Sequence, residues 1–401
     1  MYMHYALVGL FLLLVGGISA WSWVLVDPNF TLVKHADWSN FREFAVSIGY
    51  FQRQWSANVY TMLIVSLTAF SYCIIKWYKG PILPLLVSVG IVGGLLSYPA
   101  LSHDLFNYIF DARIVTYYHA NPYIHRALDF PADPMLRFMH WVHRTYPYGP
   151  TYLLISLIPS ALGSGVFSLT FFLFKGMHVM LFIITGWVLL QLDRKAALIL
   201  ITSPLIIIEG LINTHNDFVA LSLAIIGIYF LQNKRKHSAI VAFVVSGLIK
   251  YISLPILILS LKESFSKYTT VVNDARNTHF VHQCHPELDS GSRLFGCVQP
   301  WHIALTGILT FLVYLISRQE IQPWYFLNLF IFLPFAPGVF QKFTIASTGL
   351  LLSYYPYVLG GEWGQGGDVG MKRSIILYSL CLNIILLLIY MMCRRLFIRR
   401  P

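Results

Sequence analysis

Five stretches of the chain, Ala6–Val26, Tyr60–Ile75, Ile82–Pro99, Phe167–Leu190 and Ser374–Met392, are nearly unbroken apolar runs. Each approaches or exceeds the roughly 17–25 residues a helix needs to cross a bilayer. Between them lie shorter apolar runs of about ten to fifteen residues, at 196–210, 218–232, 238–249, 252–261 and 325–337, too short to sit alone in lipid. Such helices make sense inside a bundle, lining a cavity where polar groups and irregular backbone are tolerated. The pattern predicts an all-α polytopic membrane bundle of about 12 crossings, formed by residues 1–401 as a single domain.

Basic tracts beside the apolar runs orient the crossings. If Lys76–Gly80, Asp193–Lys195, Asn233–His237, Gln341–Lys342 and the Arg-rich tail are cytoplasmic, both termini lie inside. Asp27–Ser56, the loop 101–149, Glu209–Asp217, Lys250–Tyr251, Arg318–Trp324 and Gly360–Arg373 then face outside, with Lys372–Arg373 as the exception to the rule. The segment Asp133–Tyr146 predicts an interfacial helix, from an N-cap aspartate, a proline at the first helical position and a Met135, Phe138, Met139, Val142 stripe. Thr151–Leu162 predicts a half-buried or re-entrant helix.

Composition agrees with the membrane reading: 57% of residues are apolar and 11% charged, against about 25% charged in soluble domains. The formal charge of +11 does not point to nucleic acid, because its cations flank apolar runs. Five cysteines imply no disulfide framework. Residues 262–300 are polar and turn-rich and predict a cytoplasmic insertion loop. His282, Cys284, His285, Cys297 and His302 lie in or beside it in a spacing that matches no standard zinc finger.

Charge inside so apolar a chain is costly, so each polar group there asks for a partner or a water-filled cavity. In "SHDLFNYIFDARIVTYYHANPY", Asp104 follows the third apolar run closely, positioned for a general base or for a helix N-cap. Asp111 shares its face if the segment is helical, and Arg113 points elsewhere, with an Asp111–Arg113 pair as the structural alternative. In "SPLIIIEGLINTHNDF", Glu209, Asn213, His215, Asn216 and Asp217 stand between two short apolar runs. Sugar hydroxyls would suit this mixed carboxylate and amide set, and a divalent metal on His215 and Asp217 is the other possibility. Lys250 interrupts a nearly uncharged stretch and suits a lipid phosphate. In "RQEIQPWYFL", Trp324 and Tyr325 suit either interfacial anchoring or stacking on a sugar.

These groups, in this order, resemble the polyprenyl-phosphate-sugar-dependent glycosyltransferases of the GT-C superfamily, in particular the bacterial mannosyltransferase-like branch. The shared segments are Ser102–Asp104 through Arg113 and Asn121–Pro122–Tyr123, "YPYGPTY", "SPLIIIEGLINTHND", "GLIKY" and "QPWYF", covering residues 90–340. The chain departs from the family pattern at Phe106, Asn107, Ala112 and Thr214, the last standing where the family has glycine before the histidine. A D-x-D motif is absent from this segment.

The resemblance implies transfer of a sugar, mannose favoured, from a polyprenyl-phosphate donor to a hydroxyl of a glycan or glycolipid acceptor. The reaction would take place at the outer face of a bacterial inner membrane, with inversion. It implies Asp104 as the base and Arg113 and Lys250 at the donor phosphate. It implies His103, Asp111, Asn121, Tyr123, Glu209, Asn213, His215, Asp217, Tyr251, Trp324 and Tyr325 as substrate contacts, with no certain cofactor and a divalent metal left open. A lipid-linked sugar or anion transporter and a noncatalytic scaffold remain the readings from other classes.

Overall fold

A computed structural model of the chain describes residues 2–260, 299–361 and 368–398, with side chains over 5–260, 299–361 and 368–392. The insertion expected at 262–300 therefore lies, but for its last two residues, outside the described residues. Among those described, all regular structure is helical.

The chain opens with α1 (Tyr2–Ser22), α2 (Ala36–Phe51), α3 (Arg53–Trp77) and α4 (Ile82–Gly90), and α4 continues into a widened π-helical turn, Ile91–Leu95. Next come α5 (Asp104–Thr116), α6 (Pro150–Leu162), α7 (Phe167–Leu192) and α8 (Arg194–Thr202), then a second π-helical turn, Ile206–Ile212. After α9 (Asn216–Gln232) and α10 (Lys236–Gly247), the 3₁₀ segment Tyr251–Ser260 leads to the undescribed residues. Beyond them lie α11 (Pro300–Arg318), a 3₁₀ segment Pro323–Phe332, three short helices between Pro337 and Gly360, and the terminal helix Val369–Ile398.

Among the described residues, five helices are long and apolar enough to cross a bilayer: Tyr5–Leu25, Arg53–Trp77, Phe167–Leu192, Pro300–Arg318 and Val369–Met392. A sixth span arises if α8 and the turn after it, bent by 68°, count as one. This is fewer than the 12 expected. The reason is length: a twelve-residue helix such as α10 rises only about 18 Å, against a hydrocarbon core of about 30 Å. These short helices pack on one another, α9 on α10 and the Tyr251–Ser260 segment on α10 and α11.

The interfacial helix expected over Asp133–Tyr146 is reduced to a 3₁₀ turn, Pro134–Arg137. Asp133 caps it as predicted, accepting from the Met135 amide at 2.9 Å. Phe138 leaves the turn to enter an aromatic cluster with Phe30, Phe106 and Phe167, so burial of that ring wins over helix propagation.

Two breaks shape the centre. Pro204 forces Ser203 into an extended conformation (φ −62°, ψ 119°) and ends α8. The chain then rewinds as the π-helical turn and ends at Thr214, whose φ of +56° is left-handed. Every residue from Ala196 to Ser222 is buried, so this polar break sits at the heart of the bundle. The turn after α4 packs beside it and against α7. Gly94 makes that approach possible, because a Cβ there would collide with Val179.

Candidate active site

The first half of the site comes from the end of the α4 span. Beyond Leu95, Tyr98 precedes Pro99 and the chain runs irregularly to Ser102, whose hydroxyl accepts from the Asp104 amide at 3.3 Å. Asp104 thus opens α5 with its carboxylate almost wholly buried. Tyr108, one turn on, donates its hydroxyl to Asp104 Oδ2 at 3.5 Å.

The second half comes from the broken span. His215 lies between two carboxylates, its Nδ1 3.5 Å from Asp104 Oδ2 and its Nε2 3.3 Å from Glu209 Oε2. Neither contact has hydrogen-bond alignment, so the ring sits between the two carboxylates without a formed hydrogen bond to either. Asn213 fixes Glu209 by donating to Oε2 at 3.0 Å, and its own Oδ1 accepts from the Leu101 amide at 3.2 Å. That last bond ties the two broken spans together at the site. Trp324 stacks on His215 with centroids 4.2 Å apart and planes 22° apart.

A second charge chain starts two residues further on. Asp217 Oδ2 is 3.0 Å from Lys250 Nζ, and its Oδ1 accepts from Asn328 Nδ2 at 3.0 Å. Lys250 also lies over the Tyr148 ring, 4.9 Å from the centroid. This meeting requires Gly149, because any Cβ there would strike the Leu248 carbonyl as the 146–150 loop passes the end of α10. Lys250 and Arg144 are both within electrostatic reach of Asp104. Near these charges, both polar atoms of the fully buried Asn216 amide and the Thr214 hydroxyl have no protein partner. Groups of this kind fit a polyhydroxy ligand, which supplies donors and acceptors at once.

The structure therefore brings together Asp104, Glu209, Asn213, His215, Asp217, Lys250 and Trp324. It sends others elsewhere. Arg113 pairs with Asp133 at 2.7 Å, stacks on Tyr117 at 4.0 Å and donates to the Gly165 carbonyl, at the opposite end of α5 from Asp104. Asp111 has Arg144 as its cationic neighbour. Asn121 closes a turn by accepting from the Tyr123 amide, and both residues are exposed. Tyr251 is exposed, and Tyr325 donates to Gln319. His103 stacks on His140, centroids 3.8 Å apart. His215 and Asp217 face different partners, His215 between Asp104 and Glu209 and Asp217 against Lys250.

Four contributors escape the sequence reading: Arg144, Tyr108, Asn328 and Lys175. Lys175 is wholly buried in α7 and donates to the Leu211 and Ile212 carbonyls and to Ser97 Oγ, each at 2.9 Å. Ser97 in turn donates to the Gly93 carbonyl at 2.7 Å. One ammonium thus clamps the C-terminal ends of both π-helical turns, where carbonyls lack intrahelical partners and the helix dipole is negative. The signal was available: Lys175 interrupts an apolar run just as Lys250 does.

Residues 5–261 match the family model described as "Alpha-(1->6)-mannopyranosyltransferase, N-terminal domain". The chain belongs to this mannosyltransferase family. It is also 24% identical over 180 residues to alpha-(1->6)-mannopyranosyltransferase A of Corynebacterium glutamicum, an alignment covering 42% of the chain and 36% of that relative. The chain thus spans about a third of the length of the curated relative it matches. No solved structure gives a significant match. The family match contains every member of the site except Trp324 and Asn328, which fall beyond residue 261.

Proposed function

We propose that this protein transfers mannose from a polyprenyl-phosphate donor to a hydroxyl of a glycan or glycolipid acceptor, at the extracytoplasmic face and with inversion. The carrying observation is a carboxylate, Asp104, placed beside His215 and within reach of two cations at a buried break between helices. Family membership supports mannose.

Asp104 accepts the acceptor's hydroxyl proton as the acceptor oxygen bonds to the anomeric carbon from the face opposite the donor phosphate. The bond from that carbon to the phosphate oxygen breaks, and its electron pair leaves with the polyprenyl phosphate. A phosphate is stable as an anion, so no general acid is needed, and Lys250 and Arg144 stabilise the developing charge. Glu209 and Asn213 hold His215 so that its ring fixes the Asp104 carboxylate, and Trp324 offers an aromatic face next to the sugar.

The test is transfer of radiolabelled mannose from a polyprenyl-phosphate donor by wild type and Asp104→Asn in matched membranes. Label only with wild type, in a product of inverted anomeric configuration, is the expected result. Equal label from both proteins removes Asp104 as the base. No label with mannose but label with another hexose overturns the donor assignment.

A further inference from the structure

A second cluster, not used in the mechanism proposed above, gathers around His103. Asp27, from the loop after α1, His103, from the N-cap of α5, and His140, from the loop after the Pro134 turn, place one ligand atom each within 4.8 Å of one another. His103 is buried and its Nε2 has no hydrogen-bond partner. Asp27 spends only Oδ1, which accepts from the Asn29 amide at 2.7 Å. The three residues line a cavity of about 320 Å³ whose wall also carries Tyr50, Arg53 and Tyr357.

We propose that Asp27, His103 and His140 form a divalent transition-metal site of the zinc class. Two imidazoles and one carboxylate are a donor set for Zn²⁺ or Co²⁺. Three protein ligands leave a fourth position open, and here it faces the cavity. Bonds of about 2.0–2.2 Å put donors at most about 4 Å apart, so atoms lying within 4.8 Å of one another close by no more than about 1 Å. The parallel imidazoles must also turn, since a ring binds a metal in its own plane. His140 is exposed on a loop and supplies that rotation. Arg42 and Arg53 stand near the site. Their charge opposes a bare cation and favours an anion, hydroxide or phosphate, in the open position.

Such an ion would tie the loop after α1 and the loop after the Pro134 turn to the first residue before Asp104. It holds the start of α5 without touching the reacting atoms.

The protein, purified in detergent and stripped with chelator, is titrated with Co²⁺ while visible d–d absorption is followed, then challenged with Zn²⁺. Wild type takes up one equivalent with d–d bands that Zn²⁺ abolishes. His140→Ala and Asp27→Asn lose that equivalent, and Asp104→Asn keeps it. No Co²⁺ band in wild type overturns the proposal, and so does an equivalent that survives in both His140→Ala and Asp27→Asn. Because His140 and Asp27 are partly solvent-exposed loop residues, their variants remain folded, which a thermal melt checks.

Discussion

The two ends of α5 carry opposite kinds of charge chemistry. At its C-terminal end, Arg113 and Asp133 are fully matched: Asp133 accepts from Arg113 Nε, from the Tyr118 hydroxyl and from the Met135 amide at 2.7–2.9 Å. At its N-terminal end, Asp104 meets an imidazole and a hydroxyl only at 3.5 Å, beside buried amide and hydroxyl groups that lack protein partners. A charge whose bonds are all made inside the protein holds the fold. A charge buried at a cost and left incompletely matched is kept for a ligand.

The sharpest way to break the comparison is at the N-terminal carboxylate. Asp104→Asn keeps size and shape, so transfer should fall by about 10²–10⁴, the usual worth of a general base, with the melting temperature in detergent unchanged. If instead turnover survives, the N-terminal end is as structural as the C-terminal one. The cations divide the same way. Arg144→Met should lower turnover by about 10² through lost charge stabilisation, measured as kcat at saturating donor. Arg113→Met should leave kcat within about twofold. It should cost about 3 kcal/mol of stability, because Asp133 stays buried without its cation, which thermal unfolding reads.

A third prediction concerns the clamp between the broken spans. Lys175→Met leaves the Leu211 and Ile212 carbonyls without their donor, each worth about 1–3 kcal/mol when buried and unsatisfied. Stability should fall, and kcat more than KM, since the Asp104–His215 geometry depends on both turns. Smallest is Thr214→Gly. A β-branched residue at positive φ is strained by roughly 1–2 kcal/mol, while glycine costs about 0.4–1 kcal/mol through the unfolded chain. The variant should therefore be neutral to about 1 kcal/mol more stable by thermal melt, while loss of the unpartnered Thr214 hydroxyl should raise KM for the sugar substrate and leave kcat nearly unchanged.

How much of this could be read from the sequence differs by element. Asp104, Glu209, His215, Asp217 and Lys250 were legible because charge in an apolar chain is conspicuous. The partner of Arg113 was not legible: Asp133 lies twenty residues on, beyond a loop whose path no periodicity predicts. Arg144 was hidden among surface-type residues, and only the passage of Gly149 under Leu248 shows which way its loop turns. Membrane character was plain from the apolar runs. The number of crossings was not, because counting by alternation treats every apolar run as a span, whereas α10 and the 3₁₀ segments are too short to be one.

The Lys175 clamp has a consequence for how the protein is made. Its partners Leu211 and Ile212 are 36 and 37 residues downstream, so α7 reaches the membrane with its lysine unsatisfied. On insertion scales a lysine at mid-membrane costs about 2.5–3.5 kcal/mol. At about 5–20 residues per second of synthesis, the delay is a few seconds. During it, α7 has reason to linger at the insertion machinery with the α4 span, whose Ser97 is already present. The bent span then supplies the Leu211 and Ile212 carbonyls that complete the coordination of the Lys175 ammonium.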